Sequence, residues 1–415
     1  MSIFRGLFFL LPFAVVACTT SSSNTLPSIN IEQAIQNVSD INLSLCASEI
    51  EYFPLETNDS INLGDINYSF TGADYIFITG KPYQRTIHLF SKDGKYIKDI
   101  GRQGRGPGEY LAVRSIITLP EKNAIMVEGG YKAVVYSLKD GAVLNDFLLD
   151  QLLENGNTLF ETPGIKTQYS AQQMIKNILY HNGLFYLSIT DNKEITQSLL
   201  VASIDSSTII KQDIINFERK PATKGPWVTP SQIYKKDNEL NIIHGYCDTI
   251  YKLCNNALIP RLTIDYGNFK TEKTTDVAHE QLKFCNSNTH FFETNNAILS
   301  KFYIPPVSKP IYPKKEPDNS RIGRHYETYI VYNKSTGKSA VPNYYEKYKM
   351  AGLLNDLDNG VPFWPAFGDE NKLYQFIDAG KFIELSQISD SKKMKAIAST
   401  ITEESNPVMI VVTLK

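Results

Sequence analysis

The chain is poor in the residues from which reactive sites are most readily built: among 415 residues there are five cysteines, six histidines and two tryptophans. After Cys18, the cysteines Cys46, Cys247, Cys254 and Cys285 are irregularly spaced and form no CxxC pair, so neither a zinc cluster nor a redox dithiol is indicated. Four cysteines in so long a chain do not make a disulfide scaffold, and they read as buried thiols. Neither sign of charge is in excess. The 42 basic and 44 acidic residues leave a formal charge of -2, which argues against a nucleic-acid surface or a polybasic membrane patch. Histidines at 88, 181, 244, 279, 290 and 325 form no cluster in sequence. His279-Glu280 opens a zincin-like motif, but Lys283 stands where the second histidine belongs. A GxSxG elbow is absent too, so no catalytic motif is complete and no cofactor is indicated.

Long apolar runs are also missing; spanning a bilayer takes about 20 residues. The run GLFFLLPFAVVA follows the weakly basic MSIFR and ends at Cys18, after the small residue Ala17. This arrangement resembles a bacterial lipoprotein signal, with residues 1–17 as the signal and Cys18 as the lipidated N-terminus. Val15 and Val16 depart from the leucine and small residue more usual before that cysteine. TTSSSNTLPS then reads as a tether, because small polar residues cannot bury enough surface to fold. Residues 18–48 are assigned to the lipidated N-terminus and tether, so the lipid is the only expected contact with membrane.

Aromatic residues are abundant, at 11% with 24 Tyr and 21 Phe, which suits half-buried pleated surfaces. A recurring phrase begins after residue 49: an alternating strand, a polar turn and a second strand. IHLFSKDGKYIKDIG and AVVYSLKDGAVLNDF are its clearest copies, with Asp93-Gly94 and Asp140-Gly141 at the turns. LLVASIDSSTIIKQDI, DTIYKLCNNALIPRLTIDYG and TYIVYNKSTGKSAVPN repeat it more weakly. Roughly six units of at least about 45 residues fall in the period range of propeller blades. The expected fold over 49–415 is therefore all-β, a six-bladed β-propeller with short helical insertions, its ring closed by IEYFPLE and PVMIVVTL in the last blade. Segments 151–178, 270–300, 306–325 and 341–360 read as loops or short helices. Over Lys381–Thr402 the spacing of Leu385, Ile388, Ala396, Ile397 and Ile401 predicts an amphipathic helix.

Three places are candidate ligand sites. In DIGRQGRGPGEY, Gly101 and Gly106 have the spacing that opens a P-loop, but Pro107 replaces its lysine; Glu109 replaces the third glycine of a dinucleotide fingerprint. Strand-like sequence follows where a phosphate-binding helix is required. The run reads chiefly as a sharp link between blades, with Glu109 bonded to backbone amides or to Arg102 or Arg105. The competing reading gives Arg102 and Arg105 an anionic ligand. In NDLDNG, Asp356 and Asp358 alternate as calcium ligands do, yet Gly360 comes one residue early and no acid closes the loop. An Asx turn is the plainer reading. Trp227 and Trp364 sit beside prolines in GPWVTP and VPFWPAF, either as platforms for a sugar ring or as wedges between blades, the wedge being preferred.

Several phrases together, FSKDGKYIKDIGRQGRGPGEY, CDTIYKLCNNALIPRLTIDYG, NDLDNGVPFWP and NPVMIVVTLK, are similar to the six-bladed β-propeller lipoproteins of the Bacteroidetes. The resemblance implies an NHL-like propeller and no activity, since the group has no agreed one. Surface-displayed lipoproteins of these bacteria usually look acidic just after the lipidated cysteine, whereas Thr19 to Asn24 contain no acid. That departure favours an outer-membrane anchor facing the periplasm. The expected function is non-enzymatic: an envelope propeller that recognises a protein, a glycan or another small molecule on a ring face. The alternative is a hydrolase or lyase acting on a glycan or ester, with histidines and acids from different blades meeting in the central channel.

Overall fold

The computed structural model describes residues 26–64, 66, 68–72, 74–80, 86–130, 132–149, 175–190, 197–205, 208–217, 232–243, 248–255, 257–269, 283–284, 291–304, 311–313 and 326–415. Cys18, Trp227, Cys247, Cys285 and the histidines at 244, 279, 290 and 325 lie outside these residues.

Consecutive strands make each antiparallel blade, four in each of the first four blades and five in the fifth, where two short strands share one edge. The first blade comprises Tyr68–Thr71, Tyr75–Thr79, Ile87–Ser91 and Tyr96–Ile100. The second comprises Ser115–Leu119, Ala124–Glu128, Lys132–Ser137 and Val143–Leu148. Ile175–His181, Leu184–Thr190, Gln197–Asp205 and Thr208–Phe217 form the third. The fourth has Gln232–Lys236, Glu239–Ile243, Thr249–Cys254 and Ala257–Asp265. In the fifth, Lys283–Phe284 and Phe291–Glu293 both pair with Ala297–Ile304, followed by Tyr326–Asn333 and Lys338–Pro342. The expectation of six blades needs correction here. Five blades are cut from consecutive strands, and the remaining four-stranded sheet is a composite of Phe367–Gly368, Lys372–Ile377, Val408–Leu414 and Ala47–Pro54. Its last two strands come from opposite ends of the chain, so their pairing ties the ring shut.

The alternation in sequence becomes a core on each face of a blade. In Ala124–Glu128, Ala124 and Met126 pack with Ile178, Phe185 and Leu187 of the third blade, while Ile125 and Val127 pack with Phe77, Ile87 and Leu89 of the first. A strand buried on both faces is apolar throughout, yet its period of two still sorts side chains between two cores. The same relation joins the third blade to the fourth, the fourth to the fifth, the fifth to the composite sheet and the composite sheet to the first blade. First strands face one another: that of the second blade packs on that of the third, and that of the third on that of the fourth.

Residues expected as tether are folded from Ser28 onward. Ser28–Asn30 adds a parallel strand to Ala257–Asp265, and Ile31–Gln36 forms a short helix whose Asn30 cap accepts from the Gln33 amide. Val38–Ser39 then pairs in parallel with Val341 and Pro342. Ile29, Ile31 and Ala34 are buried in the core between the fourth and fifth blades, which explains why this polar-looking stretch is ordered. The helix expected over 381–402 is two helices, Ala379–Ile388 and Lys392–Ala398. The break falls at Ser389–Ser391, where side chains compete with helical backbone bonds: the Ser391 amide donates to the Ser389 hydroxyl, and the Ser391 hydroxyl accepts from the Met394 amide. Phe382, Leu385 and Met394 are buried against the composite sheet. Among the described residues no helix is long and apolar enough to cross a membrane.

Candidate functional site

The glycine run links the last strand of the first blade to the first strand of the second, and its backbone is bonded inwards. Gly101 (φ +74°) lies against Tyr110 and Tyr136, where a Cβ would come within 2.6 and 2.8 Å of their rings. The amide of Gly104 donates to the Tyr110 carbonyl (3.0 Å), and the Tyr110 amide to the Arg102 carbonyl (3.1 Å). Gly108 (φ +68°) gives its amide to Asp146 (2.5 Å), and its carbonyl accepts from the Tyr136 hydroxyl (2.6 Å). Lys132, almost fully buried, donates to the Gly106 carbonyl (2.9 Å) and pairs with Asp146 (2.8 Å). Glu109 accepts from the Gly106 amide at 2.9 Å, as the inter-blade reading expects. Its contact with Arg102 is loose, at 3.6 Å with the arginine side chain 84% exposed, and Arg105 is exposed as well.

NDLDNG is a knot rather than an open cation loop. Asp356 accepts from the Ser44 amide (2.9 Å) and hydroxyl (2.5 Å). One oxygen of Asp358 accepts from the Tyr52 hydroxyl (3.1 Å), the Asn355 side-chain amide (2.7 Å) and the Gly360 amide (3.1 Å); the other accepts from Ser391 (2.5 Å). Asn355 in turn accepts from the Leu357 and Asp358 amides, an Asx turn. All four carboxylate oxygens serve to join the composite sheet, the N-terminal segment and the second helix. Calcium takes six to eight oxygens, and these are turned to internal donors. Replacing Asp358 with Asn is therefore expected to lower unfolding stability by about 1–3 kcal/mol. Calcium and a chelator should leave the thermal midpoint of the parent protein unchanged; stabilisation by calcium would contradict this assignment.

Trp364 is 7% exposed and stacks on Tyr329 with ring centroids 4.1 Å apart and planes 4° apart. It belongs to the core between the fifth blade and the composite sheet, a wedge rather than a platform. The six residues singled out in sequence are thus not brought together: Arg102, Arg105 and Glu109 stand at the first and second blades, Asp356, Asp358 and Trp364 beside the composite sheet.

Two constellations escape a reading of the sequence. One lies where first hairpin turns meet across the ring. Glu370, in the first turn of the composite sheet, pairs with Lys235 of the fourth blade at 3.3 Å and accepts from the Asn238 amide at 3.4 Å. His181 ends the first strand of the third blade; burial and then the Lys235 charge push its pKa down, against Glu370. Burial, and then Glu121 in the turn of the second blade, push the Tyr180 hydroxyl up. Tight two-residue turns make this convergence feasible: Asn182-Gly183 and Asp237-Asn238 have positive φ at both positions, as a type I′ hairpin requires. The other constellation is buried between the fourth and fifth blades. Glu293 accepts from Arg261, from the Tyr234 hydroxyl (2.7 Å) and from Lys334 (2.7 Å). Lys92 makes a comparable latch from the first blade to the composite sheet, bonding the Tyr374 hydroxyl (2.7 Å) and Asp369 (3.1 Å); burial pushes its pKa down and Asp369 counters. Among the described residues no three His, Cys, Asp or Glu gather as a metal site.

A family model described as a domain of unknown function, DUF4934, matches residues 26–413. No curated protein matches the chain. Among solved structures, a Bacteroides fragilis protein described as exported is similar at 16% identity and a TM-score of 0.59, with 94% of this chain and 100% of that chain covered. A member of the DUF4221 family from Bacteroides vulgatus is similar at 11% identity and a TM-score of 0.46, with 89% and 97% covered.

Proposed function

The chain belongs to the DUF4934 family, and from that premise we propose that it is a lipid-anchored propeller of the cell envelope that holds a partner and does not transform a substrate. The observation that carries the reading is the commitment of every acid singled out in sequence. Asp356 and Asp358 each spend both oxygens, and Glu109 one of its two, on donors within the protein, which makes them parts of a frame. Across the ring, the Lys235–Glu370 pair with His181 beside it ties the first hairpin turns together, which favours a closed end over an open catalytic channel. The composite sheet closes the ring, with cores against both the fifth and the first blade. Export is supported by the signal-like N-terminus and by the exported description of the Bacteroides fragilis relative. The anchor is the lipid on Cys18, held at the outer membrane and facing the periplasm, and the partner is an envelope protein or a glycan met on one face.

Arg105 and Glu121 flank opposite ends of the second blade's first strand, so they mark opposite faces. Photo-crosslinking residues placed at each in living cells should yield a discrete adduct from one face only. Hydrolysis of a glycan or ester by the purified protein, lost on His181→Ala, would overturn the reading in favour of the enzyme.

A further inference from the structure

The first residues to fold onto the ring fix where the anchored end of the chain leaves it. Ser28, Ile29 and Asn30 pair in parallel with Thr263, Ile264 and Asp265 on the outer strand of the fourth blade. The Pro27 carbonyl accepts from the Thr263 amide at 2.9 Å, and Ile29 and Ile31 are fully buried, so this root cannot swing. Because the pairing is parallel, Pro27 and Leu26 run back towards the start of that strand. The start carries exposed apolar residues: Ala257, Ile259 and Pro260 are exposed, Ile259 at 48%, and Leu26 is 38% exposed. The parallel strand covers only the far end of Ala257–Asp265, beyond this tip.

Covalent length does the rest. Eight peptide steps separate Cys18 from Leu26, and an extended chain covers about 3.5 Å per step, so the greatest reach is about 28 Å. That is roughly the thickness of one bilayer core, and it holds the fourth blade's rim close to the lipid in which Cys18 is anchored. We infer that the tip Ala257–Pro260, with Leu26, rests on the lipid surface that carries the anchor, so that the ring stands on its fourth blade. The rim of the first blade, with the exposed Ile97, is then turned away from the membrane. Shallow burial of exposed aliphatic residues adds a second point of contact beside the lipid anchor, and two points of contact limit how the ring can tilt. This inference rests on the lipid anchor of the proposed function.

The test uses the mature protein lipidated on Cys18 in phosphatidylethanolamine–phosphatidylglycerol vesicles. Flotation with the vesicles is read first. Brominated lipids then quench a tryptophan placed by Ile259→Trp and, in a separate protein, one placed by Ile97→Trp, after subtraction of the parent signal. Quenching should be at least about twofold stronger at 259 than at 97, as interfacial burial of one position and not the other requires. Ala257→Trp provides the same comparison at a second exposed position should Ile259→Trp fold poorly. Flotation with equal quenching at all positions overturns the orientation alone. Failure to float overturns the anchor, and the orientation with it. A tip shielded by a copurifying protein, and unquenched by lipid, also overturns it.

Discussion

Replacing Glu293 with Gln is expected to destabilise the protein by about 3–5 kcal/mol, the range for breaking a buried charge pair from one side. The Glu293 side chain is 1% exposed, and Arg261, Lys334 and the Tyr234 hydroxyl all direct donors at it. Tyr234 and Arg261 come from the fourth blade; Glu293 lies in the fifth and Lys334 follows its Tyr326–Asn333 strand. Without the carboxylate, two half-buried cations face each other across this seam. The pH dependence carries a signature. Burial by itself would raise the Glu293 carboxyl, but the hydrogen bond and charge of Arg261, and then Lys334, outweigh it and bring it from 4.5 down to about 2. A folded-state value below the unfolded one means that the stabilisation is complete above about pH 4.5 and is lost as pH falls through about 2. Denaturant unfolding of parent and Glu293→Gln should show a gap that is widest near neutrality and narrows towards pH 2. A gap indifferent to pH between 5 and 2 would show that the carboxylate charge is not what joins the seam.

Which parts of this molecule were legible in sequence follows from the range of the forces involved. Strands such as NAIMVEG and GLFYLSIT announce themselves because burial on a pleated face imposes a local period of two, and the pairing of IEYFPLE with PVMIVVTL follows from the need to close a ring. Turn chemistry was legible in part: at Asp93-Gly94 only the glycine has positive φ, with Asp93 accepting from Ser91, while the type I′ turns lie at Asn182-Gly183 and Asp237-Asn238. An Asn-Gly pair between ILYH and LFYL was the available signal for the first of these. The short parallel strand Ser28–Asn30 carries no alternation and sits in tether-like sequence, so only its burial against the fourth blade reveals it. Glu293, Arg261, Tyr234 and Lys334 are individually ordinary residues far apart in the chain. Their meeting depends on the seam between two blades, which no local pattern encodes.

The glycine run can be tested by setting its backbone against its charges. Gly101→Ala is expected to cost about 2–5 kcal/mol, from a left-handed conformation that disfavours a Cβ and from crowding a filled core. Tyr110 and Tyr136, which the new methyl would strike, meet edge to face at 6.3 Å and belong to the core between the first and second blades. Neither ring can retreat without disturbing Phe77, Ile87 or Val134, which share that core. Arg102→Gln with Arg105→Gln, by contrast, removes two exposed charges and one loose ion pair, and should change stability by less than about 0.5 kcal/mol. Denaturant unfolding of the three proteins reads both effects on one scale. A large loss in the double Gln variant, or none in Gly101→Ala, would mean that the run is held by its arginines and not by its backbone. With the predicted outcome, the arginines are dispensable to the fold. With the crosslinking residue at position 105, loss of the envelope crosslink on Arg102→Gln would then assign Arg102 to the partner, because the scaffold beneath it is unchanged.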